Sequence, residues 1–205
     1  MLVSYHMTKE PITVDADDLL SHAAHKMWAG GFRRLPVMSD GKLVGIITDR
    51  NLREHRGQLD RTKVNGVMSE APVLTVRPET TLEQAAQIML EQQIGGLPVV
   101  HEGRLVGIIT SSDVMRAFLD AMAASNGGST RIDFIESKEH GLMDASRIVA
   151  REGNELLGVG TYHDKFGENP ICYLRLPGDA ENIAEALRVS GFDVLGVHRI
   201  GGELK

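Results

Sequence analysis

The feature that most constrains the fold of this chain is an internal repeat in its first 120 residues. The segment LPVMSDGKLVGIIT at residues 35–48 recurs as LPVVHEGRLVGIIT at residues 97–110, with ten of fourteen positions identical and an offset of 62 residues. Upstream, Met7 has a counterpart in Met68. A repeat of this length indicates that one supersecondary unit occurs twice.

Each copy predicts the same order of secondary structure. The β-branched pairs Thr13–Val14 and Thr75–Val76 indicate very short strands. A helix follows in each copy, with apolar residues at i, i+3, i+4, i+7 and i+8: Leu20, Ala23, Ala24, Met27 and Trp28, and then Leu82, Ala85, Ala86, Met89 and Leu90. Strands at Leu35–Met38 and Leu43–Thr48 are separated by Ser39-Asp40-Gly41, which favours a hairpin. With a final helix, the prediction is a β-α-β-β-α unit that occurs twice.

The helix starts carry capping signals. Thr80 and Glu83 have the spacing of a capping box, and Asp18 is the corresponding N-cap residue in the first copy. The final helix of each copy is predicted to begin at Asp49 and at Ser111.

The remainder of the chain predicts a different domain. We divide the sequence into a first repeat (1–62), a second repeat (63–124), a linker (125–130) and a C-terminal domain (131–205). The predicted elements of that domain are strands at 131–136, 155–162, 171–176 and 192–199 and helices at 142–150 and 180–190. This order, β-α-β-β-α-β, is typical of a ferredoxin-like fold, so the fold class is α+β.

Composition and charge argue against several functions. The 205 residues carry 22 basic and 28 acidic side chains, and the net charge of -6 repels a nucleic-acid backbone. The single cysteine, Cys172, has no partner for an internal disulfide, which favours a reducing, cytoplasmic setting. No apolar run is long enough for a membrane helix, and the N-terminus lacks the pattern of a signal peptide. We therefore expect a cytoplasmic protein with no nucleic-acid or membrane partner.

The candidate chemistry lies where the last strand of each copy meets its last helix. Thr48 is followed three residues later by Asn51, and Thr110 by Asp113. A threonine hydroxyl and free amides at a helix start suit a phosphate, and a carboxylate one turn later suits the hydroxyls of a ribose. The alternative is that both threonines are simple N-caps.

The duplicated unit with its LPV and GIIT motifs resembles a tandem pair of CBS (cystathionine-β-synthase) domains. The resemblance implies two clefts that hold adenosine ligands such as AMP, ADP, ATP, NAD or S-adenosylmethionine. By this resemblance Thr110 contacts phosphate and Asp113 ribose in one cleft, which we favour, and Thr48 and Asn51 are their counterparts. Asn51 departs from the usual aspartate and offers one acceptor oxygen instead of two. The other implied site residues are Ile12, Arg34, Pro36, Asp49, Arg50, Val73, Ile94, Gly95, Gly96, Pro98, Ser111 and Ser112.

Charge differs between the two copies. Residues 1–66 have a net charge of +2 and residues 67–125 a net charge of -4. We hypothesise that arginines of the first copy neutralise a polyphosphate, namely Arg33, Arg34, Arg50, Arg53 and Arg56. The alternative is a solvated basic face.

The C-terminal domain resembles an ACT domain, a small-molecule-sensing module. The resemblance implies an amino-acid ligand beside Gly141 and Leu142, although the loop lacks the usual aspartate and proline; the alternative is a domain that only dimerises.

A CBS pair followed by an ACT domain resembles the bacterial acetoin-utilisation B family. We therefore predict a non-enzymatic regulator of acetoin or acetate metabolism, a homodimer that regulates a partner protein, with no obligatory cofactor. The alternative is a structural dimerisation scaffold with empty clefts.

Other candidate sites are interpreted as structural. His22 and His25 lie on the polar side of a helix and are interpreted as solvated residues, so no metal is predicted. Cys172 lies mid-strand and is interpreted as a small buried hydrophobe, so no catalytic residue is predicted.

Overall fold

The computed structural model describes residues 1–68, 72–122, 128–137, 139–163 and 170–201. These residues form two compact units, Met1–Met115 and Arg116–Lys205. The strands of the first unit are β1 (Thr8–Lys9), β2 (Val14–Asp15), β3 (Arg34–Ser39), β4 (Lys42–Thr48), β5 (Gly96–His101) and β6 (Arg104–Thr110). The helices that follow them are α1 (Leu20–Gly30), α2 (Asp49–Glu54), α3 (Leu82–Glu91) and α4 (Ser111–Ala121), the last of which ends in the second unit.

The first unit contains two three-stranded sheets, one per copy. Their strand orders are β2-β3-β4 and β1-β6-β5. In the second copy the counterpart of β2 is reduced to one parallel bridge between Val76 and Val99. The predicted β-α-β-β-α order is therefore confirmed in the first copy, and in the second its first strand is a single bridge.

Both hairpins have the same tight turn. Asp40 and Gly41 have φ values of 49° and 74°, and Glu102 and Gly103 have φ values of 49° and 76°. Two successive left-handed residues form a turn whose twist matches that of the flanking strands. The hairpins predicted from the turn residues are confirmed.

The apolar stripe of the first helix in each copy is narrower than predicted. Leu20, Ala23, Ala24 and Met27 are buried in copy one, and Leu82, Ala85 and Met89 in copy two. Trp28 and Leu90 were expected to complete the stripes, but these side chains are 75% and 79% exposed. The prediction was wrong at these two positions because the residue at i+8 is rotated about 80° from the residue at i and lies beyond the buried face.

The capping predictions were also wrong in detail. The N-cap of α3 is Thr81, whose Oγ1 accepts from the Gln84 amide at 3.2 Å while Gln84 Oε1 accepts from the Thr81 amide at 3.3 Å. Thr80 Oγ1 accepts instead from the Arg77 amide. The N-cap of α1 is Leu19, without a side-chain cap, because the Asp18 carboxylate accepts from the Asp15 amide.

Short segments are exchanged between the two copies. The Val3 amide donates to Thr80 O at 2.9 Å, and β1 pairs with β6 of copy two. Conversely, Val64, which follows copy one in the sequence, is fully buried in the core of copy one, and its amide donates to Asp18 O. The segment before copy one in the sequence therefore completes copy two, and the segment before copy two completes copy one.

The second unit has strands β7 (Ser129–Ile135), β8 (Gly158–Tyr162), β9 (Ile171–Pro177) and β10 (Val194–Ile200) and helices α5 (Leu142–Arg151) and α6 (Glu181–Val189). Its antiparallel sheet has the order β10-β7-β9-β8. The core lies between one sheet face and the two helices, with Phe134, Leu174 and Ile183 fully buried. The predicted β-α-β-β-α-β order is confirmed.

The linker prediction was wrong at its C-terminal end. Ser129 and Thr130 belong to β7 and are 2% and 1% exposed. The Thr130 hydroxyl donates to Gly178 O at 2.6 Å, so a small polar residue that resembles a linker residue is held in the sheet. Residues 125–127 of the predicted linker lie outside the described residues. Across the described helices, no segment has both the length and the apolar character needed to cross a membrane.

Candidate functional site

A cavity of about 460 Å³ lies between the two copies in the first unit. Its volume is within the range of about 300–1,000 Å³ that is typical of small-molecule sites. Copy one supplies Arg33, Arg34, Gly45, Ile46, Thr48, Asp49, Arg50 and Arg53, and copy two supplies Pro72, Val73, Leu74, Gln93, Ile94, Gly95 and Gly96.

The copy-one hairpin brings the polar side chains of this cavity together. Arg34 at the start of β3 is paired in register with Thr48 at the end of β4. Helix α2 begins at the next residue, so Asp49, Arg50 and Arg53 line the same cavity. The repeat that predicted the hairpin therefore also explains why residues far apart in sequence meet here.

The copy-one side of the cavity is strongly basic, and we call it the basic wall. Its arginines are Arg33, Arg34, Arg50 and Arg53. Arg53 Nη1 lies 3.1 Å from Asp49 Oδ2. Within the described residues, no carboxylate lies within 4 Å of Arg33, Arg34 or Arg50. Burial lowers the pKa of Arg34, repulsion from Arg33 lowers it further, and Asp49 partly offsets both effects. The wall therefore has more positive charge than the described residues neutralise.

The side chain of Arg34, a copy-one residue, lies against Gly95 and Gly96 of copy two. A Cβ at Gly95 would lie 2.5 Å from Arg34 Nη2, and one at Gly96 would lie 2.8 Å from Arg34 Nη1. The guanidinium thus occupies space that any larger residue at these positions would fill.

The two Thr-containing motifs adopt the same capping geometry. Thr48 Oγ1 donates to Asn51 Oδ1 at 2.6 Å, and the Thr48 amide donates to the same oxygen at 3.0 Å. Thr110 Oγ1 and its amide donate in the same way to Asp113 Oδ2, at 2.6 and 2.9 Å. The single side-chain oxygen of Asn51 therefore already accepts two hydrogen bonds, whereas Asp113 has a second carboxylate oxygen for a ligand.

The cavity brings together half of the predicted nucleotide-binding residues. Those that line it are Arg34, Thr48, Asp49, Arg50, Val73, Ile94, Gly95 and Gly96. Its lining does not include Ile12, Pro36, Asn51, Pro98, Thr110, Ser111, Ser112 or Asp113. The cavity thus lies at the helix start of copy one, whereas the sequence argument favoured that of copy two.

Several of the remaining predicted residues lie in other surroundings. Pro36 and Pro98 are buried opposite Ile46 and Ile108 in their hairpins. Ile12 is 53% exposed. Ser111 lines a largely apolar groove between α3 and α4, which shares Gln93, Ile94 and Gly95 with the cavity.

Sequence analysis missed five residues of the cavity: Gly45, Ile46, Pro72, Leu74 and Gln93. Gly45 and Ile46 belong to the repeated GII motif, which was the available signal. Gln93, just after α3, has a φ of 53°, a conformation that its sequence neighbours do not indicate. Arg56, predicted among the phosphate-binding arginines, lies in another depression with Trp28, Leu52 and Leu59.

The other candidates have ordinary surroundings. Gly141 is the N-cap residue of α5 in an extended conformation, and Leu142 packs against the core of the second unit. Cys172 is fully buried, and burial raises the pKa of its thiol. His22 Nδ1 lies 3.1 Å from Asp18 Oδ1. Within the described residues, no three His, Cys, Asp or Glu side chains are grouped as a metal site requires.

Comparisons with known proteins match the first half of the chain. A family model described as the CBS domain matches residues 3–57 and 64–120. A CBS domain-containing protein of Dictyostelium discoideum is 35% identical over 130 residues, 56% of this chain and 89% of that protein. The inosine-5'-monophosphate dehydrogenase of Korarchaeum cryptofilum is 37% identical over 107 residues, 52% of this chain but 22% of that enzyme.

Solved structures match the same region. The CBS domain pair of protein MJ0100, in complex with 5'-methylthioadenosine and S-adenosyl-L-methionine, has a TM-score of 0.53 and 32% identity, covering 58% of this chain and 95% of that one. CBSX2 in complex with AMP has a TM-score of 0.50 and 31% identity, covering 58% and 96%. A Vibrio cholerae protein described as the acetoin utilization protein AcuB has a TM-score of 0.54 and 32% identity, covering 62% and 98%.

Proposed function

This chain belongs to the CBS domain family, and from that premise we propose that it senses an adenosine-containing ligand and regulates a partner protein. The observation that carries the proposal is the cavity at Thr48, which is large enough for a nucleotide and has a basic wall in which, among the described residues, only Arg53 is paired with a carboxylate. The CBS domain pair of MJ0100 is in complex with 5'-methylthioadenosine and S-adenosyl-L-methionine, and CBSX2 is in complex with AMP, which supports the same ligand class here.

The proposed mechanism is a change in the packing of the CBS pair. A ligand shifts an equilibrium only through its different affinities for two states. The cavity is formed by segments of both copies, so a ligand between them favours the arrangement in which those segments are close. We propose no chemical step, because a regulatory pair of this kind leaves catalysis to the partner.

The second unit is proposed to be an ACT-like module. Its support is the β-α-β-β-α-β order and the antiparallel sheet described above. In this proposal Gly141 and Leu142 border an amino-acid ligand. The similarity to the V. cholerae protein supports a role in acetoin utilisation, and we further propose a cytoplasmic homodimer.

A structural scaffold is the second candidate. It is favoured by the capping networks, in which Asn51 Oδ1 and one carboxylate oxygen of Asp113 already accept hydrogen bonds from Thr48 and Thr110. In that case the motifs serve only to start α2 and α4.

Isothermal titration with AMP, ADP, ATP, NAD and S-adenosylmethionine distinguishes the sensor proposal from the scaffold proposal. The sensor proposal expects saturable binding of at least one ligand to folded protein freed of carried-over nucleotide. Asp113→Ala tests the copy-two motif, and Thr48→Val tests the copy-one cavity. Absence of binding by all five ligands would favour the scaffold.

A further inference from the structure

The two copies of the repeat differ in charge at four positions of the cavity lining. At the offset of 62 residues, each of four cavity arginines in copy one has an uncharged counterpart in copy two. The pairs are Arg33 and Gly95, Arg34 and Gly96, Arg50 and Ser112, and Arg53 and Met115. The repeat otherwise retains ten of fourteen residues in its strands. Four positive charges at the cavity are therefore specific to copy one.

Ion pairs among the described residues account for only one of these four arginines. Asp49 pairs with Arg53, but within the described part of the chain Arg33, Arg34 and Arg50 have no carboxylate within 4 Å. Arg34 is half-buried beside Arg33, and repulsion between the two positive charges raises the free energy of the folded chain. Guanidinium groups that converge on a cavity recognise phosphate oxygens through paired hydrogen bonds.

We infer that this cavity selects an adenosine nucleotide with two or more phosphates over AMP and over S-adenosylmethionine, an inference that rests on the proposed adenosine-binding function. Each additional phosphate adds negative charge and acceptor oxygens for the arginines. The sulfonium of S-adenosylmethionine places positive charge in the same region, so the basic wall repels it. Copy two lacks the matching charges and cannot supply this selectivity.

The experiment compares the affinities of ATP, ADP, AMP and S-adenosylmethionine for the full chain at several salt concentrations. We expect ATP and ADP to bind at least about 10-fold more tightly than AMP, with a steeper loss of affinity as salt increases. Arg50→Ser and Arg33→Gly install the copy-two residues at exposed positions. Each is expected to weaken ATP binding by about 10-fold and AMP binding by less.

Arg104→Ser is the matched control, because it removes the same charge from an exposed site at the start of β6, outside the cavity. An equal loss in this variant would overturn the inference, since the effect would then come from net charge. AMP or S-adenosylmethionine binding as tightly as ATP would also overturn it, while leaving adenosine sensing intact. If no adenosine ligand binds the folded wild-type protein, the proposed function fails and the selectivity fails with it.

Discussion

A buried arginine is the most unusual residue of the second unit. Arg175 lies in β9 on the sheet face opposite the helices and is 2% exposed, although alternation with Cys172, Leu174 and Leu176 predicts an outward polar side chain. Its Nη1 donates to Ser129 Oγ at 3.1 Å, and its Nε has no hydrogen-bond partner among the residues that the structure describes. Burial lowers the pKa of Arg175, and Arg131 on the neighbouring strand lowers it further.

Arg175→Met is therefore expected to leave the second unit as stable or to stabilise it by about 1–2 kcal/mol, because it removes an incompletely paired buried charge. Arg131→Met is the contrasting variant. The Arg131 guanidinium makes a bidentate pair with Asp133, which is 6% exposed, so its loss should cost about 3–5 kcal/mol. Hydrogen exchange in peptides of β7 and β9 measures both changes, and destabilisation of similar size in the two variants would contradict this account.

Two adjacent glycines give a second prediction at the residue scale. A methyl group at Gly95 would contact only the flexible end of Arg34, whereas at Gly96 it would also lie 3.0 Å from the backbone oxygen of Ile109. Gly95→Ala should keep the stability of the first unit but displace Arg34 and weaken nucleotide binding. Gly96→Ala should weaken binding and also destabilise the fold. Thermal unfolding and titration on the same samples separate these effects, and equal unfolding temperatures for the two variants would refute the distinction.

At the scale of elements, the exchange of segments between copies has a measurable consequence. Val3 and Val64 are both fully buried, so replacement by alanine should cost about 1–3 kcal/mol in each case. Val3→Ala should increase hydrogen exchange mainly in β6 of copy two, and Val64→Ala mainly in the β3–β4 hairpin of copy one. The opposite pattern would show that the segments are not exchanged. In that pattern Val3→Ala increases exchange mainly in copy one, and Val64→Ala mainly in copy two.

The elements also show what the sequence could and could not predict. The hairpins were predictable because Asp40-Gly41 and Glu102-Gly103 follow strand-like residues in both copies. The N-cap of α3 was ambiguous, because Thr80 with Glu83 and Thr81 with Gln84 have the same spacing, and only packing selects the second pair. The location of the cavity was not predictable, because it depends on which segments of the two copies meet in space.

At the scale of the whole molecule, the repeat leaves two equivalent apolar side chains exposed. Trp28 and Leu90 are related by the 62-residue offset and are 75% and 79% exposed. Arg53 and Arg56 lie beside Trp28, whereas Glu91 follows Leu90. A two-fold dimer that places the Trp28 surface of one chain on the Leu90 surface of the other would bury both side chains and join opposite charges.

This arrangement makes the proposed homodimer testable. Light scattering should give twice the chain mass of 22.4 kDa. Trp28→Asp and Leu90→Asp should each produce monomers with unchanged secondary structure, because both side chains are exposed within a single chain. Val189→Asp is a suitable control, since Val189 is 81% exposed at the end of α6 in the second unit. If Val189→Asp dissociates the dimer and the first two variants do not, the chains associate through the second unit. The effect of a ligand bound between the CBS copies would then be transmitted to the regulated partner without a change in the Trp28 and Leu90 surfaces.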